Sequence, residues 1–244
     1  MYVYLLPPYS IPTASIIKKK VAEYLMNYAY QSIVGTYLFQ RISADGSDSR
    51  FEEIRYSPPK FLVAFFAQAT WVSLCLMPVL AINSVPATAF AALPASIAVT
   101  DILGLLLFTG GLSFEVVADR QKDRWVQEKK TKKHEEDFLT RGLWSHSRHP
   151  NYFGEITFWS GIAILAGGVL TRNAGQVGMG LAGMGANGKF LATAMAGVSP
   201  AFVTFLLLKV SGVPLSEDKY DKRYGDRKDY QEWKKNTPML IPKL

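Results

Sequence analysis

A chain of 244 residues with 49% hydrophobic residues and 27 Lys+Arg against 20 Asp+Glu carries a formal net charge of +7. Its mean hydropathy of only +0.08 averages two segregated populations, one apolar and one charged. The single cysteine, Cys75, sits inside an apolar run and excludes a disulfide framework and a thiolate metal site, while the three histidines lack a spacing such as HExxH that would converge on one metal ion.

The amino-terminal twenty residues place their apolar run before Lys18, Lys19 and Lys20, the reverse of a secretory signal, and they are not arginine-rich as a transit peptide is. Residues 21–41 are apolar and tyrosine-rich, but Glu23, Asn27 and Gln40 leave a first membrane span and an interfacial helix equally open. Residues 61–82 hold no charge and predict a span, since about 20 mostly apolar residues cross a hydrocarbon core of ~30 Å. Residues 97–117 predict the next, with Asp101 better explained as a helix cap at the interface than as a proton relay. In the charged stretch that follows, Lys129, Lys130, Lys132 and Lys133 precede Glu135, Glu136 and Asp137, the pattern of a solvated face.

Arg148 to Glu155, RHPNYFGE, joins that charged stretch to another apolar run. Pro150 marks a helix start, because the N–H it lacks would have no intrahelical partner there. Asn151 and Glu155 are four residues apart and share a face. A free helix start offers unpaired N–H groups and positive dipole, and Arg141, Arg148 and His149 stand beside it in sequence, a combination suited to phosphate. Residues 152–170 predict a third span, in which Glu155 is costly unless paired or functional. The glycine-rich residues 175–188 read as helix packing or a flexible loop, because no strand precedes them as a dinucleotide-binding loop requires. Residues 190–210 predict a fourth span.

With four spans, segments 41–60, 119–149 and 209–244 share one membrane face and gather 22 of the 27 basic residues there. By the positive-inside tendency that face is cytosolic, or matrix or stromal in an organelle, and endoplasmic reticulum, mitochondrial and plastid membranes are not distinguished. The net charge then reflects orientation and attraction to anionic lipid, not nucleic acid. The expected class is an all-α polytopic membrane protein of four to five transmembrane helices, with residues 1–40 as an N-terminal segment and 41–244 as the membrane domain.

Several runs together carry a family resemblance: Asp48 to Phe51 (DSRF), Phe65 to Trp71 (FFAQATW), Glu115 to Lys122 (EVVADRQK), Arg141 to Trp144 (RGLW), Ser147 to Glu155 (SRHPNYFGE), Glu217 to Gly225 (EDKYDKRYG), and the pairs Thr237-Pro238 and Ile241-Pro242. In this order they resemble the steroid 5-alpha-reductase superfamily, and most of all its branch of uncharacterised membrane proteins sharing the C-terminal domain. The resemblance implies an NADPH-dependent oxidoreductase of lipid metabolism that saturates a carbon–carbon double bond in a sterol or other hydrophobic, lipid-like substrate. It assigns Lys122, Arg124, Arg141, Trp144, Arg148, His149, Asn151, Tyr152, Glu217, Tyr220 and Arg223 to the cofactor, while Glu155 and Tyr224 are candidate catalytic proton donors on chemical grounds only.

Each assignment has a plainer reading. Lys122 and Arg124 suit lipid headgroups or solvent, Asn151 a helix cap, and Trp144 and Tyr152 interfacial anchors. Related reductases carry additional apolar helices before the matched region, where this chain has about forty residues. Two alternatives follow: a non-catalytic subunit of a larger membrane complex that keeps the fold, and an S-adenosylmethionine-dependent methyltransferase, since isoprenylcysteine carboxyl methyltransferases resemble the chain at Arg148 to Gly154.

Overall fold

The computed structural model describes residues 56–94 and 96–243, with isolated positions 36, 39, 43 and 54 ahead of them. The expectations for residues 1–40, for Asp48 to Phe51 and for most of 41–60 lie outside the described residues. Among the described residues every regular element is helical. In chain order these are α1 (Pro58–Asn83), α2 (Ala87–Ala91), α3 (Val99–Lys130), a 3₁₀ turn (Gly142–Ser145), α4 (Pro150–Leu170), α5 (Asn173–Gly178), a 3₁₀ turn (Ala182–Met184), α6 (Ala186–Phe205) continuing into a π turn (Leu206–Val210), α7 (Val213–Tyr224) and α8 (Lys228–Asn236).

Four helical stretches are long and apolar enough to cross a membrane: Pro58–Asn83, Val99–Lys130, Pro150–Leu170 and Ala186–Tyr224. Each overlaps one of the four spans read from the sequence, and the chain is an all-α polytopic integral membrane protein. Phe61, Leu62, Phe66, Leu105, Leu106 and Phe190 remain exposed on the helices, as a lipid-facing belt requires. The helix ends follow local chemistry. Pro58 and Pro59 open α1. At α3 the Ala98 N–H donates to Asp101 Oδ2 at 2.9 Å, so Asp101 is the helix cap expected of it. Helix α3 has 32 residues, roughly 48 Å at 1.5 Å per residue. That exceeds the hydrocarbon thickness, so its last three turns project from the membrane and carry Lys122 and Trp125 with them.

The bundle is tightest between the antiparallel α3 and α4. Gly104 and Gly111 on α3 face Gly161 and Gly154 on α4, both pairs spaced by seven residues. A Cβ on Gly111 would stand 2.5 Å from Phe158 N and 2.7 Å from Gly154 O, and one on Gly161 would stand 2.5 Å from Phe108 N. These neighbours are backbone atoms and cannot yield. Small residues at helical spacing let membrane helices approach this closely. The sequence reading had looked for such packing at 175–188. There Gly175, Gly178 and Gly188 do pack closely, a Cβ on them meeting Val169 O, Ala89 Cβ at 2.8 Å and Leu181 O in turn, while Gly180, Gly183 and Gly185 face open space.

Three apolar clusters fill the rest. One, with Ile82, Phe90, Leu170 and Ala196, closes the end remote from the cationic face. A second, with Cys75, Phe108, Phe158 and Val203, occupies the middle, so Cys75 is packing. The third, Trp125, Leu139 and Trp144, sits at the cationic end under the site described next.

Candidate functional site

The junction between the charged stretch and α4 is fixed by the C-terminal tail. Arg148 N–H donates to Pro238 O at 2.9 Å, Ser147 Oγ donates to Leu240 O at 2.8 Å, and Lys243 N–H donates to His146 O at 2.9 Å. The buried Ser147 hydroxyl also accepts from His149 N–H at 3.2 Å. Thus SRHP and the TP and IP pairs form one unit, which holds Arg148 and His149 at the start of α4. The RGLW run is locked to α3 in the same way. Gly142 adopts φ +59° and packs on Gln121, whose Oε1 accepts from Leu143 N–H at 2.9 Å, and Trp144 Nε1 donates to Ala118 O at 2.9 Å. Gln121 belongs to the EVVADRQK run and joins the two motifs.

Between the projecting end of α3, the start of α4 and the two C-terminal helices lies a cleft of about 610 Å³, part of it open to solvent. It gathers Lys122, Trp144, Arg148, His149, Glu217 and Tyr220 of the residues assigned from the sequence. It adds Trp125, beside Trp144, and Phe138, Tyr230 and Trp233, which form a continuous aromatic wall; no spacing had flagged any of them. Phe138 lies 5.1 Å from Trp233 and 5.4 Å from Tyr230 between ring centroids. Lys122 Nζ stands 5.2 Å above the Trp144 ring.

Glu217 is the electrostatic centre. Its Oε1 lies 3.1 Å from Arg148 Nη1 and 3.3 Å from His149 Nε2, and its Oε2 lies 3.2 Å from Lys234 Nζ. Lys234 also meets Asp221 at 2.6 Å, which accepts from the Tyr230 hydroxyl at 2.8 Å. His149 is 5% exposed and stacks on Tyr152 at 5.1 Å with a 4° interplanar angle. Burial holds His149 below its ordinary value of 6.5, outweighing the upward pull of Glu217. Burial and the neighbouring Asp221 carboxylate push the Tyr230 phenol up. Arg148 Nε and Trp233 Nε1 are buried without a hydrogen-bond partner among the described residues.

One to two turns into the bundle, α3 and α4 bring acidic and amide groups together. Asn151 lies against the Asp119 carboxylate, and Glu115, Asp119 and Glu155 stand within electrostatic reach of one another. Glu115 Oε2 and Asn151 Oδ1 are buried and without a hydrogen bond among the described residues. Glu115 and Asp119 are four apart on α3, and that spacing was the signal that could have found them.

Three assigned cations stand apart. Arg141 Nε donates to Glu136 at 3.0 Å and Nη1 pairs with Glu128 at 3.6 Å, instead of attending the start of α4. The Arg141 guanidinium accordingly holds the Glu136 carboxyl below its usual range. Arg124 is exposed on α3, and Arg223 is exposed with its guanidinium 5.1 Å from the Tyr224 ring. Tyr224 is buried behind the aromatic wall, and its hydroxyl points to Asp137 Oδ1 at 3.5 Å.

Residues 32–237 match the family described as "Protein of unknown function (DUF1295)". No curated protein and no solved structure matches the chain. The match spans most of the chain, and the protein belongs to the DUF1295 family, a family of uncharacterised membrane proteins.

Proposed function

We propose that the protein is a membrane-embedded reductase that takes NADPH in the cleft at its cation-rich face and saturates a carbon–carbon double bond of a lipid or sterol-like substrate entering from the bilayer. One observation carries this reading: the buried cleft atoms without partners among the described residues, Arg148 Nε and Trp233 Nε1, are both donors. A phosphate ester supplies the acceptors they lack. Lys122 adds a flexible cation at the rim, and the rings of Trp125, Trp144 and Tyr220 offer stacking faces for planar heterocycles. The motif resemblance to the steroid 5-alpha-reductase superfamily points the same way.

NADPH, when bound, would supply a hydride to one carbon of the double bond, and the neighbouring carbon would then need a proton from the protein. Among the chain's own groups, Glu155 suits that role better than Tyr224. Glu155 stands on the face of α4 that follows Asn151 into the apolar bundle, next to Glu115 and Asp119. The Tyr224 hydroxyl is directed to Asp137 and screened by Phe138 and Tyr230. Asn151, set against the Asp119 carboxylate, stands between His149 of the cleft and Glu155 along α4.

A second reading has its own support. An aromatic wall facing a carboxylate, Glu217, also suits the sulfonium of S-adenosylmethionine, which would make the protein a methyltransferase. Isothermal titration of the detergent-purified protein with NADPH, NADH and S-adenosylmethionine decides between them. Binding of NADPH is expected, weakened roughly ten-fold or more by Arg148→Ala. Heat from S-adenosylmethionine alone would establish the methyltransferase, and heat from neither would favour a scaffold subunit.

A further inference from the structure

The membrane face opposite the cleft has its own concavity. Helices α1 and α4 end there and α3 and α6 begin there, with α2 and α5 folded across the gap. Between them lies an open groove of about 1620 Å³, part of it open to solvent. Arg172 and Lys189 both line it. They are the only basic residues in 61–118 and 150–208, and no carboxylate is among the lining residues. The nearest acid in sequence, Asp101, is turned to the Ala98 N–H at 2.9 Å. Basic residues on this face run against the orientation bias, since the nine basic residues of 119–149 and the nine of 209–244 lie on the other, yet both converge on one groove.

The geometry points to an anionic phospholipid whose phosphate pairs with Arg172 and Lys189. The groove lies where the hydrophobic helices end, at the depth of a headgroup. Thr88 and Ser96 add hydroxyls beside the cations, while Pro86, Ala89, Leu93 and Val177 supply an apolar side for the glycerol and first acyl carbons. An inorganic phosphate would leave that apolar side wet. A zwitterionic lipid would bring its own ammonium to a site that already holds two cations and no anion. This occupant is independent of the reductase reading, because no residue of the groove belongs to the cleft.

The test titrates the full-length protein in neutral detergent with phosphatidylglycerol, phosphatidylcholine or inorganic phosphate, and follows thermal melting and bound lipid by native mass spectrometry. Phosphatidylglycerol should raise the melting temperature and remain bound. Arg172→Ala with Lys189→Ala should weaken it roughly ten-fold or more. Lys132→Ala with Lys133→Ala, on exposed positions of the other face, should leave it unchanged. The charge-conserving pair Arg172→Lys with Lys189→Arg should restore binding, and the single exposed-site change Lys189→Ala should show a partial loss if the double variant does not fold. Equal retention by the groove variant, equal binding of phosphatidylcholine, or saturation by inorganic phosphate alone would each overturn the assignment. So would a shift of the wild-type protein to a dimer that the groove variant abolishes, since a second copy would then be the occupant.

Discussion

The seam between α3 and α4 and the cleft at their cationic end lie on the same two helices and are built by opposite means. In the seam, backbone meets backbone at Gly111, Gly154 and Gly161, and Gly104 is closed by Gly161 O and the Leu165 side chain. In the cleft, long side chains from the start of α4, from α7 and from α8 meet around one carboxylate, Glu217, with its partners Arg148, His149 and Lys234. The seam has no freedom to absorb an added atom. The cleft can absorb changes of shape but depends on its balance of charge.

The sharpest way to break this contrast is at two adjacent glycines. A Cβ at Gly111 meets Phe158 N at 2.5 Å and Gly154 O at 2.7 Å, whereas one at Gly110 meets nothing within 4 Å. Gly111→Ala is expected to destabilise the protein by roughly 3 kcal/mol, or to stop it accumulating, because two helices must separate. Gly110→Ala should stabilise α3 by about 0.5–1 kcal/mol through reduced backbone freedom. Thermal melting of both variants in one detergent reads the pair. Equal behaviour would mean that the seam is loose enough to breathe.

The same contrast explains what was legible in the sequence. The four spans were visible because charge and apolarity are segregated, and hydropathy reports what lies in lipid. It does not report where a helix stops, so the reading ended a span at 117 while α3 runs on to Lys130 in solvent. The seven-residue glycine spacing of the seam was present but passed over, since local glycine density at 175–188 draws more notice than a register shared by two distant segments. For the cleft, the cations beside Pro150 were legible as a group. Their tie to Glu217, 68 residues beyond His149, and the aromatic wall depend on how α7 and α8 fold back, which no local pattern encodes. Arg141 was grouped with the helix start by nearness in sequence, but Glu136 lies closer in space.

Charge balance in the cleft is tested next by Glu217→Gln. Gln keeps the shape and removes the anion that Arg148, His149 and Lys234 share, at an expected cost of about 2 kcal/mol in stability. The same change should strengthen NADPH binding several-fold, because a phosphate no longer competes with an internal carboxylate for Arg148. Titration of wild type and variant at fixed ionic strength checks this. Weaker binding would show that Glu217 contacts the cofactor directly, as the family resemblance implies, and does not stand in for its phosphate.

The smallest expected effect lies in the pH dependence of stability, and it belongs to the cleft alone. Burial among Tyr152, Arg148 and the helix start keeps His149 below its ordinary value of 6.5 despite Glu217, with Arg148 and Lys122 also opposing its charge. The unfolded chain therefore binds a proton on this ring more readily than the folded one. Stability contributed by neutral His149 is fully present above pH 6.5 and falls as pH drops below it, down to the folded value. His149→Gln cannot titrate, so melting temperatures of the variant should decline less steeply than those of wild type between pH 6.5 and pH 5. The glycine seam contributes nothing to that difference, which makes the comparison a local probe of the cleft. Parallel profiles would mean that Glu217 compensates the buried ring fully. A steeper wild-type rise in stability on acidification would mean that the imidazolium, paired to Glu217, is the form the fold prefers.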